Sequence, residues 1–378
     1  MSRADQGVRP GSAPGSALGP APPLGANPSR YDGWVTAVAP IAVAPIAAPR
    51  SNFWIVSRGV DLSLVIGSAL AGYLYLALYV GLHVPITLLW WFWSVGFDGT
   101  HIFATASRTY FDREARARNP KLLYGSLLFF FTIGPAMVLV GAVKYLAILV
   151  GVWAYYHVIR QHHGFMVLYK VKCRDLRPVD NTLDRIFLGV MLVFPPFQRF
   201  FLHHPEELGL HTAFPRLEPF CWAIVAATLI VYLGRQAVRW RAGEPTNVPK
   251  FLLFAAIVPL HWLTFAYMSW QAAVPTVTIV HNLQYHAIVW FHNRNRYADS
   301  GVAVHGRIPT AVSRSLLAYV AVGLAFSVLY RIPGFELGRV SDLAFGFFCG
   351  FGLTHYYLDS RIWRVRHDPG LRAALRMG

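Results

Sequence analysis

The chain has 378 residues, is 55% hydrophobic and only 14% charged, and carries a formal net charge of +16. Soluble chains devote about a quarter of their residues to charge, so this composition argues against a water-soluble globule. The Lys and Arg residues fall in short clusters between apolar runs, which speaks for orientation in a membrane and against nucleic acid as a partner.

Residues 1–52 are rich in Pro, Ala, Gly and Ser and lack hydrophobic periodicity, the composition of a disordered tail. The stretch 35–48 is apolar, but Pro40 and Pro45 interrupt it and a long lead precedes it, so it does not read as a signal peptide. A bilayer core about 30 Å thick takes roughly 20 apolar residues as a helix. Within 53–362, runs near that length recur over 61–82, 86–107, 122–143, 145–169, 184–201, 218–234, 251–269, 274–293, 315–331 and 340–360. The pattern predicts an all-α, polytopic transmembrane helix bundle of about ten spans, because it lacks the alternation of a β-barrel. The fifth span contains Pro195-Pro196 and is expected to kink or re-enter. Cys173, Cys221 and Cys349 are too scattered for a disulfide framework or a thiolate metal motif.

Loop charge orients the bundle. Arg108, Arg113, Arg116, Arg118 and Lys121, then Lys170, Lys172, Arg174, Arg177 and Arg185, then Arg235, Arg239, Arg241 and Lys250 all fall on one side. Arg294, Arg296, Arg307 and Arg314, then Arg361, Arg364, Arg366, Arg372 and Arg376 continue it. The other side holds only Lys144, Arg199, Arg216, Arg331 and Arg339. The rich side is expected to be cytoplasmic, with both termini there, including a basic tail over 363–378. The expected location is the inner (cytoplasmic) membrane of a bacterium.

Ionisable side chains inside spans are costly, so each one is a functional suspect. Here they gather on four spans that run in the same direction. The second span carries Asp98 and His101, and the fourth carries His157, His162 and His163. The eighth carries His281, His286 and His292, and the tenth His355 and Asp359. All lie near the middle or in the later half of their spans, so they converge on the cytoplasmic half of the bundle. Asp98 with His101, and His355 with Asp359, are three or four apart and share a helix face. His157 with His162, and His281 with His286, are five apart, a rotation of about 140° on a regular helix. Both members face one site only where the helix carries a π-bulge or ends.

Imidazole with some carboxylate and no thiolate suits iron, zinc, copper or nickel. Eight histidines exceed the needs of one ion, so two iron ions are the expectation, ahead of zinc or haem. Gln161, Asn282 and Gln284 are candidates for orienting the imidazoles, and Arg160 for anchoring a headgroup. The bland reading holds for His83 and His261, which lack partners in sequence. It also applies to the outer-loop group His203, His204, Glu206, Glu207 and His211, to Trp90–Trp93 as a packing cluster, and to Asp359 as a cap for Arg361 and Arg364.

At His157-x4-His162-His163 and His281-x4-His286 the chain resembles the histidine boxes of the membrane fatty-acid desaturase and hydroxylase superfamily. That resemblance implies two irons held by about eight histidines, O2 as co-substrate and a separate electron donor. The HxxHH and HxxxHH spacings of that family are not met. The span count and the isolated His101 and His355 look more like the Brp/Blh-type β-carotene dioxygenases. Both resemblances imply a membrane-embedded oxidoreductase acting on a lipid or isoprenoid by desaturation, hydroxylation or oxidative cleavage. The alternative is a metal or proton transporter using a His/Asp relay, and a haem-binding electron carrier is a third reading.

Overall fold

The computed structural model describes residues 53–297 and 301–377, and the expected disordered tail over 1–52 lies outside them. Among the described residues there is no strand. Ten long helical segments follow one another: α1 (Arg58–Gly81), α2 (86–108), α3 (Pro120–Leu139), α4 (Val143–Lys172), α5 (Pro178–His203), α6 (Pro215–Arg241), α7 (Val248–Tyr267), α8 (Trp270–Tyr297), α9 (Leu316–Val340) and α10 (Asp342–Ile362). Six of them, α1, α3, α5, α6, α7 and α9, are long and apolar enough to cross a membrane. The other four are the helices that carry the histidines, and those polar residues dilute their hydropathy.

Local chemistry starts these helices where the apolar runs begin. Pro120 and Pro178 stand in the first turns of α3 and α5, where a missing N–H costs nothing. The side chains of Asn247, Ser315 and Ser341 accept from the backbone N–H of Lys250, Ala318 and Ala344 and so cap α7, α9 and α10. Large apolar residues on the outer flanks stay open: Leu128 is 71% exposed, Leu317 79% and Leu329 76%. Water would penalise such a belt, whereas acyl chains would solvate it.

Two helices run past internal prolines, and the second differs from the expectation. α5 runs through Pro195 and Pro196 without breaking and continues as a π-helical turn over Gln198–His203. α9 passes Pro333 and reaches Val340, so Arg331 lies inside a helix and pairs with Asp98 of α2 in place of lying in an outer loop.

α8 is the central helix, packed against α1, α2, α4 and α7 and buried along most of its length. α10 lies along α3, where Gly134 and Gly346 meet backbone to backbone and a Cβ on either would collide with the other. α2 and α9 pack closely. Another π-helical turn, Ser94–Asp98, sits in α2 immediately before the residues that carry His101. The segment after α10 folds back as a short helix, Pro369–Ala374, and the Ala374 carbonyl accepts from Asn295 at the end of α8 at 2.7 Å.

Candidate metal centre

Four imidazoles from four helices meet in the interior: His101 of α2, His157 of α4, His281 of α8 and His355 of α10. Ring centroids are 4.5 Å apart for His101 and His355, 4.9 Å for His157 and either His281 or His355, and 5.3 Å for His101 and His281. All four are buried. Ligand atoms of His101, His281 and His355 lie within 4.8 Å of one another, and so do those of His157, His355 and Asp359.

The ring nitrogens differ in their partners. His101 Nδ1 lies beside the Asp98 carbonyl and 3.7 Å from its carboxylate, so Nδ1 carries the proton and donates it, leaving Nε2 a bare lone pair. Asp359 accepts from the Tyr285 hydroxyl at 2.7 Å and from the Thr105 hydroxyl at 3.0 Å. Thr105 Oγ1 also lies 2.6 Å from the Tyr285 hydroxyl and 2.7 Å from His355 Nδ1. His355 Nε2 stands 3.0 Å from His101 Nε2. An imidazole N–H···N hydrogen bond spans that distance, and so do neighbouring ligand nitrogens on one metal ion with bonds of about 2.1 Å at right angles. His281 Nδ1 and His157 Nε2 lack hydrogen-bond partners, and His157 Nε2 is 3.7 Å from Asp359 Oδ2. The donor set thus fits a metal ion.

The remaining expected residues are placed differently. α4 and α8 are regular through their histidine motifs, so the five-residue spacing turns the second member of each pair away. His286 is held between hydroxyls, with Nε2 2.9 Å from Thr100 Oγ1 and Nδ1 2.9 Å from Tyr319 Oη, and neither nitrogen is spare. His162 stands beside His261, with rings 5.6 Å apart, and has Gln284 as its polar neighbour. His261, read as incidental in the sequence, is buried and holds the Ile257 carbonyl at 2.8 Å. His163 is half-buried and has Arg160 and Arg185 as charged neighbours. His292 bonds Asn293 at 3.1 Å, nearer the arginine-rich end. Eight imidazoles around a single centre is thus not the arrangement; four are, with Asp359 beside them.

Asp98 contributes its backbone carbonyl to His101 and its carboxylate to Arg331. Gln161 donates to the His281 carbonyl at 2.8 Å and Gln284 to the Val65 carbonyl at 2.9 Å. Gln161 thus braces helices, while Gln284 also stands against the His162 ring. Asn282 is buried with no hydrogen-bond partner, and Arg160 is exposed. The outer-loop histidines pair singly, His203 with Glu218 and His204 with Glu206, and form no ligand group. Asp359 is not a cap for the basic residues that follow it, since two hydroxyls occupy it. Thr105 and Tyr285, which direct His355, were not picked out from the sequence. Hydroxyl residues are common in helices, and no spacing marks these two.

Beside the imidazoles a cavity of about 420 Å³ opens toward the arginine-poor end. Trp90, Trp93, Trp270, Phe348 and Tyr356 wall it, and Tyr356 lies with its ring 5.0 Å from that of His157. Its polar lining includes Asp98 and Arg331. Two members of the tryptophan cluster of α2 are thus cavity wall as well as packing. Comparison with family models, with curated proteins and with solved structures gave no match.

Proposed function

We propose that this chain is a membrane-embedded, histidine-ligated iron oxidoreductase that acts with O2 on a lipid or isoprenoid, by desaturation, hydroxylation or oxidative cleavage, with electrons from a separate donor. In this reading all ten long helices cross the bilayer, both termini lie on the arginine-rich cytoplasmic side, and the membrane is the inner one. The observation that carries it is the convergence of four buried imidazoles from four helices, with ligand nitrogens of His101, His281 and His355 within 4.8 Å of one another.

His101, His157, His281 and His355 would hold one ion. Iron supplies the redox equivalents and O2 activation that unactivated C–H or C=C bonds require. Thr105 would orient His355, held in turn by Tyr285 and Asp359, as hydrogen-bond partners of metal-bound imidazoles commonly do. The aromatic cavity excludes water and accepts an apolar chain, and a volume of about 420 Å³ falls in the usual range for a pocket that encloses a small ligand. A second reading, two irons, draws on the group His157, His355 and Asp359. It is the weaker one, because that triad shares His355 with the group His101, His281 and His355.

Iron per chain, measured on protein purified in neutral detergent and reconstituted with Fe(II), tests the proposal. About one iron is expected in the parent, near none in His101→Ala or His355→Ala, and the parental amount in His286→Ala, whose nitrogens are both occupied. Two irons per parent chain would select the second reading. A parent that binds no iron, or a His355→Ala variant with parental content, would overturn both.

A further inference from the structure

We propose that the chain has an anion site for a phosphate group, built around Arg108 at the arginine-rich end of the bundle and independent of the metal reading. A cavity of about 180 Å³ lies between the ends of α2, α8 and α10, and its lining includes Arg108, Arg118, Arg296, Arg361 and Arg364. The carboxylates nearby are already engaged. Glu114 pairs with Arg118 and Arg296. Asp112 accepts from His305 Nδ1 at 2.9 Å, from the Glu114 amide at 2.9 Å and from the Tyr297 hydroxyl at 3.2 Å. The group Asp112, Glu114 and His305 is thus a saturated joint and not a cation site. Asp368 caps the Leu371 amide at 2.9 Å.

Among the described residues, Arg108, Arg361 and Arg364 form no ion pair. Arg361 and Arg364 are exposed, Arg361 lying over the Tyr357 ring at 5.2 Å and Arg364 giving Nε to the Ser360 carbonyl at 3.4 Å. Arg108 is different. It is 9% exposed, stacks over Trp363 at 3.9 Å from the ring centroid and gives Nη2 to the Ile362 carbonyl at 3.3 Å. Its Nη1 is buried with no hydrogen-bond partner. Arg108 thus lines a small cavity rimmed by further arginines, with Asp359 as its carboxylate neighbour on the inner side but no ion pair, and this arrangement suits an acceptor with delocalised negative charge. Phosphate provides that, either as a free ion or as the headgroup of an anionic lipid in the adjacent leaflet.

The experiment titrates the full chain, in neutral detergent, with inorganic phosphate and separately with mixed micelles containing phosphatidylglycerol or phosphatidylcholine, and reads the thermal unfolding shift. Saturable stabilisation by phosphate and by phosphatidylglycerol identifies a free-anion site. Stabilisation by phosphatidylglycerol alone identifies a lipid headgroup site. Either outcome supports the proposal, provided Arg108→Gln weakens binding by about tenfold or more, as expected for loss of a charge-assisted hydrogen bond. Should Arg108→Gln not fold, the exposed pair Arg361→Gln/Arg364→Gln is expected to weaken binding in the same direction. The absence of saturable stabilisation by either probe, or parental affinity in the variants, would overturn it. Iron content plays no part in the readout, so failure here leaves the metal centre standing and the reverse holds too.

Discussion

Two buried polar clusters occupy this bundle, and they are opposites. At the arginine-rich ends of α4 to α7, Lys170, Lys250, Asp175, Asp180, Asp184, Arg235 and Arg239 interlock. Lys250 Nζ lies 2.9 and 3.2 Å from the two Asp184 oxygens and 3.4 Å from Asp175, and Lys170 pairs with both carboxylates. Arg235 holds Asp180 at 2.7 and 3.2 Å. Asp175 Oδ1 makes no well-shaped hydrogen bond, yet it faces Arg239 at 3.0 Å. Every charge there has its counter-charge. The imidazole cluster gathers His157 Nε2 and His281 Nδ1, buried nitrogens that no protein group satisfies. A closed ion network reads as a joint, whereas a set of converging unused donors reads as a place for a ligand. Burial alone does not separate the two.

Breaking the joint should give the largest effect. Asp184→Ala leaves two buried ammonium groups with only Asp175 between them, and the expected loss is about 3–5 kcal/mol of stability. Thermal unfolding in detergent should fall steeply, while iron per folded chain stays at the parental value. Loss of iron with an unchanged melting temperature would erase the distinction between the clusters. Thr105→Val is the matching probe of the other cluster. It removes the hydroxyl beside His355 Nδ1 and should weaken iron binding by about 10–100-fold. A chelator competition titration measures this, and full parental affinity would show that the Thr105 bond does not position the ring.

The smallest expected effect concerns pH. Asp175 lies in the turn between α4 and α5. Burial pushes its carboxyl up, but Lys250, Lys170 and Arg239 outweigh that and hold it below the ordinary aspartate value of 3.8. Because the folded value is the lower one, the stabilisation is complete above the unfolded value and fades as pH falls through the folded one. The melting temperature of the parent should therefore drop faster than that of Asp175→Asn as pH is taken below about 4. Parallel curves would remove Asp175 from the network's acid response.

Much of this was legible in the sequence. Apolar runs located all ten long helices, although the start of α5 and the ends of α6 and α9 were missed by more than a turn, and the cost of polar groups in lipid drew attention to α2, α4, α8 and α10. The five-residue spacing carried the physics that divides His157 from His162 and His281 from His286, since a regular helix cannot aim both at one point. What could not be read was which of each pair looks inward, because that depends on how α8 is rotated against its neighbours. The π-helical turn at Ser94–Asp98, the reach of Arg331 back to Asp98, and the relay from Asp359 through Thr105 to His355 are all products of packing between distant segments. Lys170 and Lys250 counted as loop charges in the sequence, but in the fold they are fully buried.

The glycine contact between α3 and α10 has a consequence for chemistry some distance away. Gly134 and Gly346 touch main chain to main chain, so the absence of two methyl groups sets how deeply α10 seats in the bundle. His355 rides on the same rigid rod, nine residues further along. The reach of a ring nitrogen toward its counterpart on α2 is thus calibrated by atoms that are missing at the opposite end of the helix.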